Sequence, residues 1–465
     1  MMDGLNTTEA TNVLAALSER ITGFDPAAIS PKAIEVAKAG IADTIGVTLA
    51  GLPEPCTQIL LSTPGVADAP GPCSILGAKQ KTSALDATLV NGIASHALDF
   101  DDFSDVLGGH QSVPLVPALF ALAEEHGLTG RELIDAYVVG FEVEHRFAMA
   151  LHPHHYDKGW HPTATLGIFG TVASAAYALK LNPTQTTRAL AIAASLAAGI
   201  KANFGTMTKP LHVGHSGRSG LMAVLMAQRG FEANPQAMEH HQGFFNVFNG
   251  EGTFDATPLL SAWTLPLTIE LPSIGIKQFP CCGSTHHAIA AMLALRADDG
   301  VTADNAESIT IHVHQRRFRH TNTAFPRSVL QAKFSQQYAV ARALLDGAVR
   351  LKDFEDDAFL QPEIVRLLEK VTVVPFGEPG APEGGTWDAE VSVKLSDGST
   401  RTKRIDNMVG RSGDNAMSRD ELYAKYADCA SKVISKADAD ASFEALMNLD
   451  SVTDFAKLTA HLAGK

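Results

Sequence analysis

Two consecutive stretches rich in alanine, glycine and serine most strongly constrain how this chain can fold. GIFGTVASAAYALKL ends just before Asn182-Pro183, and PTQTTRALAIAASLAAGI follows, each with little charge. A helix that is apolar on every side has no face for solvent, and small residues let neighbouring helices approach closely. We therefore predict that both stretches are helices in the centre of a large helical bundle.

Other helix signals surround these stretches. Ser30-Pro31 opens an apolar-periodic run that extends to Ala50, and Thr129 precedes the long run GRELIDAYVVGFEVEHRFAMAL. A hydroxyl residue before the first turn, or proline inside it, is typical of helix N-termini. From Ser418 onward the pattern is helical again, so we expect the end of the chain to return to the helical domain.

The segment after about Trp263 has a different character. SITIHVHQ (308–315) alternates like a strand, VTVVPF (371–376) is β-branched, and residues 389–405 read as a hairpin around Asp397-Gly398. Two helical stretches lie between these strands. The fold class predicted is mainly α: a large all-helical domain from residues 1–266 and 406–465, and a smaller α+β domain from residues 267–405.

The net charge and the cysteine content indicate which binding partners and which cellular location to expect. With 37 Lys plus Arg against 51 Asp plus Glu, the net charge is −14, which repels nucleic acid and anionic lipid. The sequence has no apolar run of about 18 residues, residues 1–20 have an acid and polar residues where a secretion signal needs a basic start and an apolar core, and the spacing of the five cysteines is not that of a disulfide framework. We expect a cytoplasmic protein without nucleic-acid or membrane partners, in which an anionic substrate needs a local cationic pocket.

The segment HALDFDDFSDVLGGHQS concentrates titratable residues. Within it lie His96, Asp99, Asp101, Asp102, Asp105 and His110. The run DDFSD matches the DDxxD spacing that class I terpenoid synthases use for magnesium and diphosphate, but no second magnesium motif accompanies it, and only 7% of residues are aromatic. Carboxylates that cap helices are the alternative explanation.

Two further segments place basic residues at helix starts. In GWHPTATLG, His161 immediately precedes an apolar helix, a position that lowers the pKa of an imidazole and favours a neutral base. In GTMTKPLHVGHSGRSG, Lys209 and His212 lie in a glycine-rich stretch between apolar helices. These residues supply a base and the cationic field that the acidic chain otherwise lacks.

The fourth segment is KQFPCCGSTHHAIAAM. Adjacent Cys281 and Cys282 do not have the spacing of a zinc site, so no metal is expected there. Ser284 and Thr285, with the glycine before them, form a predicted helix N-terminus whose free N–H groups bind a carboxylate.

Six motifs in collinear order identify the chain as resembling the MmgE/PrpD family. They are NGIASHALDFDD, GWHPTATLG, FGTMTKPLH, FPCCGSTH, KFSQQYAVARALLDG and GDNAMSRDELYAKYAD. The family includes dehydratases, decarboxylases and epimerases of small di- and tricarboxylates. The resemblance implies that the smaller α+β domain is a lid domain, and that the protein is a homodimer without metal or organic cofactor.

The resemblance also implies site residues. The predicted catalytic residues are Lys209, His161, His110, Asp99, Cys282 and His286, and the predicted substrate-binding residues are Phe103, His212, Ser284, Thr285 and Tyr338. Phe103 stands where the decarboxylases have threonine, and Gln111 replaces the proline of the His-Pro-Ser sequence that is usual in the family. Both changes touch the region expected to hold a substrate carboxylate.

The family reactions form or quench a carbanion beside a carboxylate, which requires a positioned acid or base and cationic hydrogen-bond donors. Because of Phe103 and Gln111, we expect an isomerase that epimerises an iminodisuccinate-like substrate. The alternative is a lyase of the 2-methylcitrate dehydratase or cis-aconitate decarboxylase type. More distant alternatives are a magnesium-dependent terpenoid synthase and a helical scaffold without catalytic activity.

Overall fold

The computed structural model describes residues 12–271, 274–407, 410 and 415–465. They fall into two compact units. The first runs to Ile276 and resumes at Arg419–Lys465, and the second is Lys277–Ser418. The chain therefore crosses between units at 276–277 and 418–419, later at both borders than the sequence analysis placed them.

Helices dominate the first unit and strands are concentrated in the second. The helices are α1 (Val13–Thr22), α2 (Pro31–Gly51), α3 (Pro55–Leu61), α4 (Ala84–His96), α5 (Ser112–His126), α6 (Gly130–Leu151), α7 (His154–Lys158), α8 (Pro162–Thr165), α9 (Gly167–Ala178), α10 (Pro183–Leu196), α11 (Thr208–Gln228), α12 (Thr257–Leu260), α13 (His286–Asp298), α14 (Gln315–Thr321), α15 (Val329–Lys333), α16 (Gln336–Asp346), α17 (Pro362–Leu368), α18 (Arg419–Ala430), α19 (Lys436–Met447) and α20 (Phe455–Ala460). The strands are β1 (Cys73–Ser74), β2 (Lys81–Thr82), β3 (Phe103–Ser104), β4 (Ile274–Gly275), β5 (Ala306–Val313), β6 (Val371–Pro375), β7 (Ala389–Leu395) and β8 (Thr400–Ile405).

The helix starts follow the caps read from the sequence. The side chains of Ser30, Thr129 and Asn182 accept hydrogen bonds from backbone N–H groups in the first turns of α2, α6 and α10. These bonds satisfy donors that a helix N-terminus leaves without an intrahelical partner. The cap positions therefore set where the long helices of the first unit begin.

The helix α9 lies in the centre of the first unit, as its composition predicts. All its residues except Tyr177 are buried, and it packs against α5, α6, α10 and α11. A Cβ added to Gly140 of α6 would lie only 1.9 Å from the Oγ of Ser174 and 2.6 Å from the carbonyl oxygen of Gly170. The close crossing of α6 and α9 therefore requires glycine, which confirms the role predicted for small residues.

A second glycine contact joins α4 to α11. A Cβ on Gly92 would lie 2.8 Å from the Cα of Gly214, and a Cβ on Gly214 would lie 2.4 Å from the carbonyl oxygen of Leu89. The two helices therefore pack backbone against backbone. This packing brings the C-terminal end of α4 beside the first turns of α11.

Two short ladders modify the all-helical domain that was predicted. In the first unit β1 pairs with β2, and β3 pairs with β4, each antiparallel. In the second ladder Phe103 lies opposite Gly275, and a Cβ on Gly275 would lie 2.7 Å from the Phe103 ring. The ring therefore packs over the glycine backbone.

The second unit is built around a mixed sheet in the order β6-β5-β7-β8. β6 runs parallel to β5, whereas β7 is antiparallel to β5 and β8. The hairpin between β7 and β8 turns at Gly398, whose φ of +85° favours glycine. Helix α13 packs on this hairpin and α16 packs on α13. The mainly α fold with a small α+β region is thus confirmed.

Among the described helices, none combines the length and the apolar character needed to cross a membrane.

Candidate active site

Three elements of the first unit carry the side chains of the candidate active site. They are the end of α4 with the loop after it, the residue before α8, and the first turns of α11. The backbone N–H of His110 donates to the Thr163 hydroxyl at 3.0 Å, and the Ser216 hydroxyl donates to the carbonyl of Ala164 at 2.9 Å. These bonds join the loop and α11 to the short helix α8.

Lys209 and His110 both face the carboxylate of Asp99. The Lys209 Nζ lies 2.7 Å from the Asp99 Oδ1, and the His110 Nε2 lies 3.5 Å from the same oxygen. Asp99 has a φ of +54°, a left-handed conformation that aspartate tolerates better than most residues. Three predicted catalytic residues from two distant segments of the sequence are therefore brought together.

Asp101 lies behind this group and is fully buried. Its Oδ2 is 2.8 Å from the His96 Nδ1 and 2.9 Å from the His110 Nδ1. Although burial alone would raise the pKa of Asp101, the imidazoles of His110 and His96 hold that pKa well below its usual range. Burial also lowers the pKa of His96 to about 4. The two imidazoles thus share one carboxylate oxygen.

Asp102 faces the opposite way, into the helical core. Its carboxylate accepts bonds from the backbone N–H and the hydroxyl of Ser112, and that hydroxyl lies 2.6 Å from the Tyr137 hydroxyl. Burial, together with the charge of Asp43, raises the pKa of Asp102 well above its usual range. Adjacent aspartates therefore have opposite electrostatic environments.

His161 is buried beside these groups. Its Nδ1 lies 3.2 Å from the His212 Nδ1, and its ring meets the Phe204 ring edge to face. Burial, reinforced by the neighbouring His96 and Lys209, lowers the pKa of His161 well below its usual range. Its Nε2 is buried without a hydrogen-bond partner among the described residues. The imidazole is therefore neutral at neutral pH, and its Nε2 is a buried nitrogen whose hydrogen-bonding capacity is not used.

Four side chains have the composition of a possible metal site. Atoms of His96, Asp99, Asp101 and His110 all lie within 4.8 Å of one another. These residues already bond to each other, and Asp99 bonds to Lys209. A cation at this position would compete with the Lys209 ammonium group for Asp99. We therefore interpret the cluster as a hydrogen-bonded charge network.

The remaining predicted residues of the fourth segment belong to the second unit. A 3₁₀ turn at Gly283–Thr285 precedes α13, so the predicted helix start is present. The Thr285 hydroxyl donates to the carbonyl of Cys282 at 2.8 Å, and the Ser284 hydroxyl lies 3.1 Å from the His320 Nε2. The half-buried Cys282 donates its backbone N–H to the carbonyl of Lys333.

His286 and Tyr338 lie inside the second unit. The His286 Nε2 is 3.2 Å from the carbonyl oxygen of Cys281. The Tyr338 hydroxyl donates to the carbonyl of Asp353 and accepts a bond from Arg342, and burial raises its pKa to about 12. A direct bond from Tyr338 to a substrate would have to replace these contacts. The roles assigned to both residues stay predictions.

Sequence reasoning did not select His96, Asp101 and Asp102 as site residues. His96 ends α4, and Asp101 follows it by five residues, so the loop brings the carboxylate back onto the imidazole. The density of acids in this segment was the available signal. It did not reveal which carboxylate faces an imidazole and which faces the core.

Comparison with known proteins adds to this geometry. The model of the MmgE/PrpD N-terminal domain matches residues 15–257, and that of the MmgE/PrpD C-terminal domain matches residues 279–450. The chain belongs to the MmgE/PrpD family.

Relatives of this MmgE/PrpD chain include proteins named cis-aconitate decarboxylase. The one from Homo sapiens is 30% identical over 388 residues, covering 81% of this chain and 79% of the relative. That from Mus musculus is 31% identical over 391 residues, covering 81% and 78%. That from Aspergillus terreus is 27% identical over 451 residues, covering 91% and 90%.

These relatives correct the predicted activity. The expectation of an isomerase that epimerises an iminodisuccinate-like substrate is wrong, because the similar proteins are named as decarboxylases, which are lyases. The argument from Phe103 fails because a change at one position does not identify the reaction. Its ring also has a packing role over Gly275. Family membership removes the basis for the terpenoid synthase alternative.

Proposed function

We propose that this protein is a decarboxylase of a small tricarboxylate of the cis-aconitate type. The names of its relatives support a lyase. Lys209 and His110 lie next to the carboxylate of Asp99, and this group provides the cation and the acid–base side chains that such a reaction needs. The proximity of these three side chains is the observation that carries the proposal.

Decarboxylation breaks the bond between a carbon and its carboxylate. Carbon dioxide leaves, the electron pair stays on the carbon, and conjugation with a neighbouring alkene and carboxylate spreads its charge. A proton must then be added to carbon. The reaction therefore needs a cation near the developing charge and an acid within reach.

Lys209 serves both needs in this proposal. Its ammonium group is held by Asp99, and the whole Lys209 side chain is 16% exposed. The chain carries a net charge of −14, so this local cation is what attracts an anionic substrate. We assign to Lys209 both the binding of a substrate carboxylate and the delivery of the proton to carbon.

We assign to His161 a direct contact with the substrate. A buried polar atom without a partner costs about 1–3 kcal/mol, and a bond to the substrate removes that cost. The Nε2 of His161 is such an atom among the described residues. His212 holds the opposite side of the ring. Cys282 and His286 stay predicted members of the site.

Incubation of the purified protein with cis-aconitate in deuterated water tests the proposal. We expect loss of cis-aconitate, release of an equal amount of carbon dioxide and one carbon-bound deuterium in each product molecule, seen by NMR. Hydration without carbon dioxide would place the protein with the dehydratases instead. Recovery of unchanged cis-aconitate, while Lys209→Ala behaves identically, would overturn the proposal.

The homodimer and the cytoplasmic location also belong to this proposal. All five cysteines lie among the described residues and are unbridged, which supports a reducing compartment. Sedimentation equilibrium of the purified protein tests the dimer, and a monomer at micromolar concentration would refute it.

A further inference from the structure

The ring of His110 is held by two acceptors at one nitrogen. Its Nδ1 lies 2.9 Å from the backbone carbonyl oxygen of Asp102 and 2.9 Å from the Oδ2 of Asp101. A carbonyl oxygen accepts hydrogen bonds and never donates them. The Nδ1 of His110 must therefore carry a hydrogen, which it shares between the two oxygens.

The same carboxylate oxygen fixes a second imidazole. The Oδ2 of Asp101 lies 2.8 Å from the Nδ1 of His96, and the rings of His96 and His110 meet edge to face with centroids 4.6 Å apart. An ionised carboxylate only accepts. The Nδ1 of His96 therefore also carries a hydrogen, and both rings have the same protonated nitrogen turned toward Asp101.

We propose that Asp101 is a positioning residue that fixes the orientation and the Nδ1-protonated tautomer of His96 and His110. The inference rests on the proposed function, because it concerns the site that would carry the decarboxylation. With its Nδ1 held, His110 directs its Nε2 toward the Asp99 carboxylate that also binds Lys209. Asp101 acts on the reacting groups only through His110.

Replacement of the carboxylate by an apolar side chain of similar size tests this role. In Asp101→Leu no side-chain atom accepts a hydrogen bond, so the Nδ1 of His96 loses the carboxylate that it faces, and the Nδ1 of His110 keeps only the carbonyl oxygen of Asp102. At least one imidazole is then no longer held in its orientation and tautomer. We expect kcat for cis-aconitate to fall by about 100-fold, in the range that a misplaced acid–base group gives. Because Lys209 and Asp99 remain, KM should change by less than about threefold.

The control is Asp135→Leu. Asp135 is also a buried carboxylate of the first unit, but it pairs with Arg131 on α6. Its variant should keep the activity of the parent protein. Loss of activity in both variants, with unfolding visible by circular dichroism, would indicate a general structural effect and overturn the specific role of Asp101.

A substrate-free measurement distinguishes this inference from the proposed function. Long-range ¹H–¹⁵N NMR of protein labelled in its histidines reports which ring nitrogen carries the hydrogen, and His96→Gln and His110→Gln assign the signals. We expect both rings to be Nδ1-protonated in the parent protein, and at least one to lose that pattern in Asp101→Leu. An Nε2-protonated His110 in the parent protein would overturn the inference even if cis-aconitate is decarboxylated. The expected pattern in a protein that leaves cis-aconitate unchanged would uphold the positioning while the proposed function fails.

Discussion

Lys209 and Asp99 form an ion pair with the Nζ 2.7 Å from the Oδ1, although 110 residues separate them in the sequence. The pair forms because glycines let α4 and α11 pack backbone against backbone. The loop after α4 then turns through the left-handed Asp99 to face the first turn of α11. A cation is thereby held at the candidate active site of an acidic protein.

Removal of this cation should abolish most activity. We expect Lys209→Ala to lower kcat/KM for cis-aconitate at least about 100-fold, because binding charge and proton donor are lost together. Lys180→Ala is a matched control, since the Lys180 side chain is 82% exposed. Steady-state kinetics on both variants, with melting curves to confirm folding, checks the prediction. Near-normal turnover by folded Lys209→Ala would exclude Lys209 from the mechanism.

His161 should matter for turnover and little for folding. We expect His161→Ala to cost about 100-fold in kcat, because the variant loses the buried nitrogen assigned to the substrate. His154→Ala provides the comparison, because His154 is an exposed histidine only seven residues away. Steady-state kinetics of the two variants test this prediction. Equal kcat values for His161→Ala and His154→Ala would exclude His161 from the site.

Phe103 and Gly275 should be coupled in stability. Gly275→Ala places a Cβ against the Phe103 ring, so we expect the free energy of unfolding to fall by about 1–3 kcal/mol. In the double variant with Phe103→Leu the loss should be smaller than the sum of the single losses, and urea unfolding measures this.

The same pair tests the substrate role of Phe103. If the ring serves packing alone, Phe103→Thr lowers the melting temperature and leaves unchanged the ratio of kcat/KM between cis-aconitate and a four-carbon dicarboxylate. A shifted ratio would show that Phe103 contacts the substrate, as the sequence analysis expected.

Acid should destabilise the protein through its buried histidines. Burial lowers the pKa of His145 to about 3 and that of His155 to about 4, whereas an unfolded histidine titrates near 6.5. The unfolded state thus binds more protons below about pH 6.5, so stability is lost as pH falls from there toward 4. Each group contributes up to about 3 kcal/mol. Urea unfolding across this range should show a steep slope that becomes shallower in His145→Gln, and an identical slope in that variant would contradict the explanation.

Chelation should leave activity intact. Asp99 is paired with Lys209, and Asp101 with two imidazoles, so the acids already have partners. We expect turnover of cis-aconitate to survive dialysis against EDTA, and elemental analysis to find no stoichiometric metal. Activity that is lost and then returns with one divalent ion would make the cluster of His96, Asp99, Asp101 and His110 a metal centre.

Sequence reasoning predicted those parts of the fold that depend on local pattern. The caps at Ser30, Thr129 and Asn182 and the hairpin at Gly398 each depend on a few adjacent residues, and the burial of α9 follows from its own composition. The pairing of β3 with β4 was missed because two-residue strands carry no periodicity.

The site was harder to predict because it depends on the directions in which side chains point, and not only on residue types. Asp101 and Asp102 are adjacent and chemically identical, yet one faces two imidazoles and the other faces Ser112. Their directions are fixed by the return of the loop onto α4 and by the packing of α5. Neither constraint is local. The reaction was missed for a similar reason, since one family site serves several reactions.

The contact between Asp43 and Lys425 bears on how the protein is made. Asp43 is buried on α2, and burial raises its pKa to about 6. Lys425 of α18 supplies the counter-charge of Asp43. The Lys425 ammonium group also donates to the carbonyl of Phe100, which lies 325 residues earlier in the sequence. A ribosome completes α2 and α4 long before it reaches Lys425. Until Lys425 has been synthesised, the buried carboxyl group of Asp43 lacks its positively charged partner. The first unit therefore becomes fully stable only after the second unit has been synthesised.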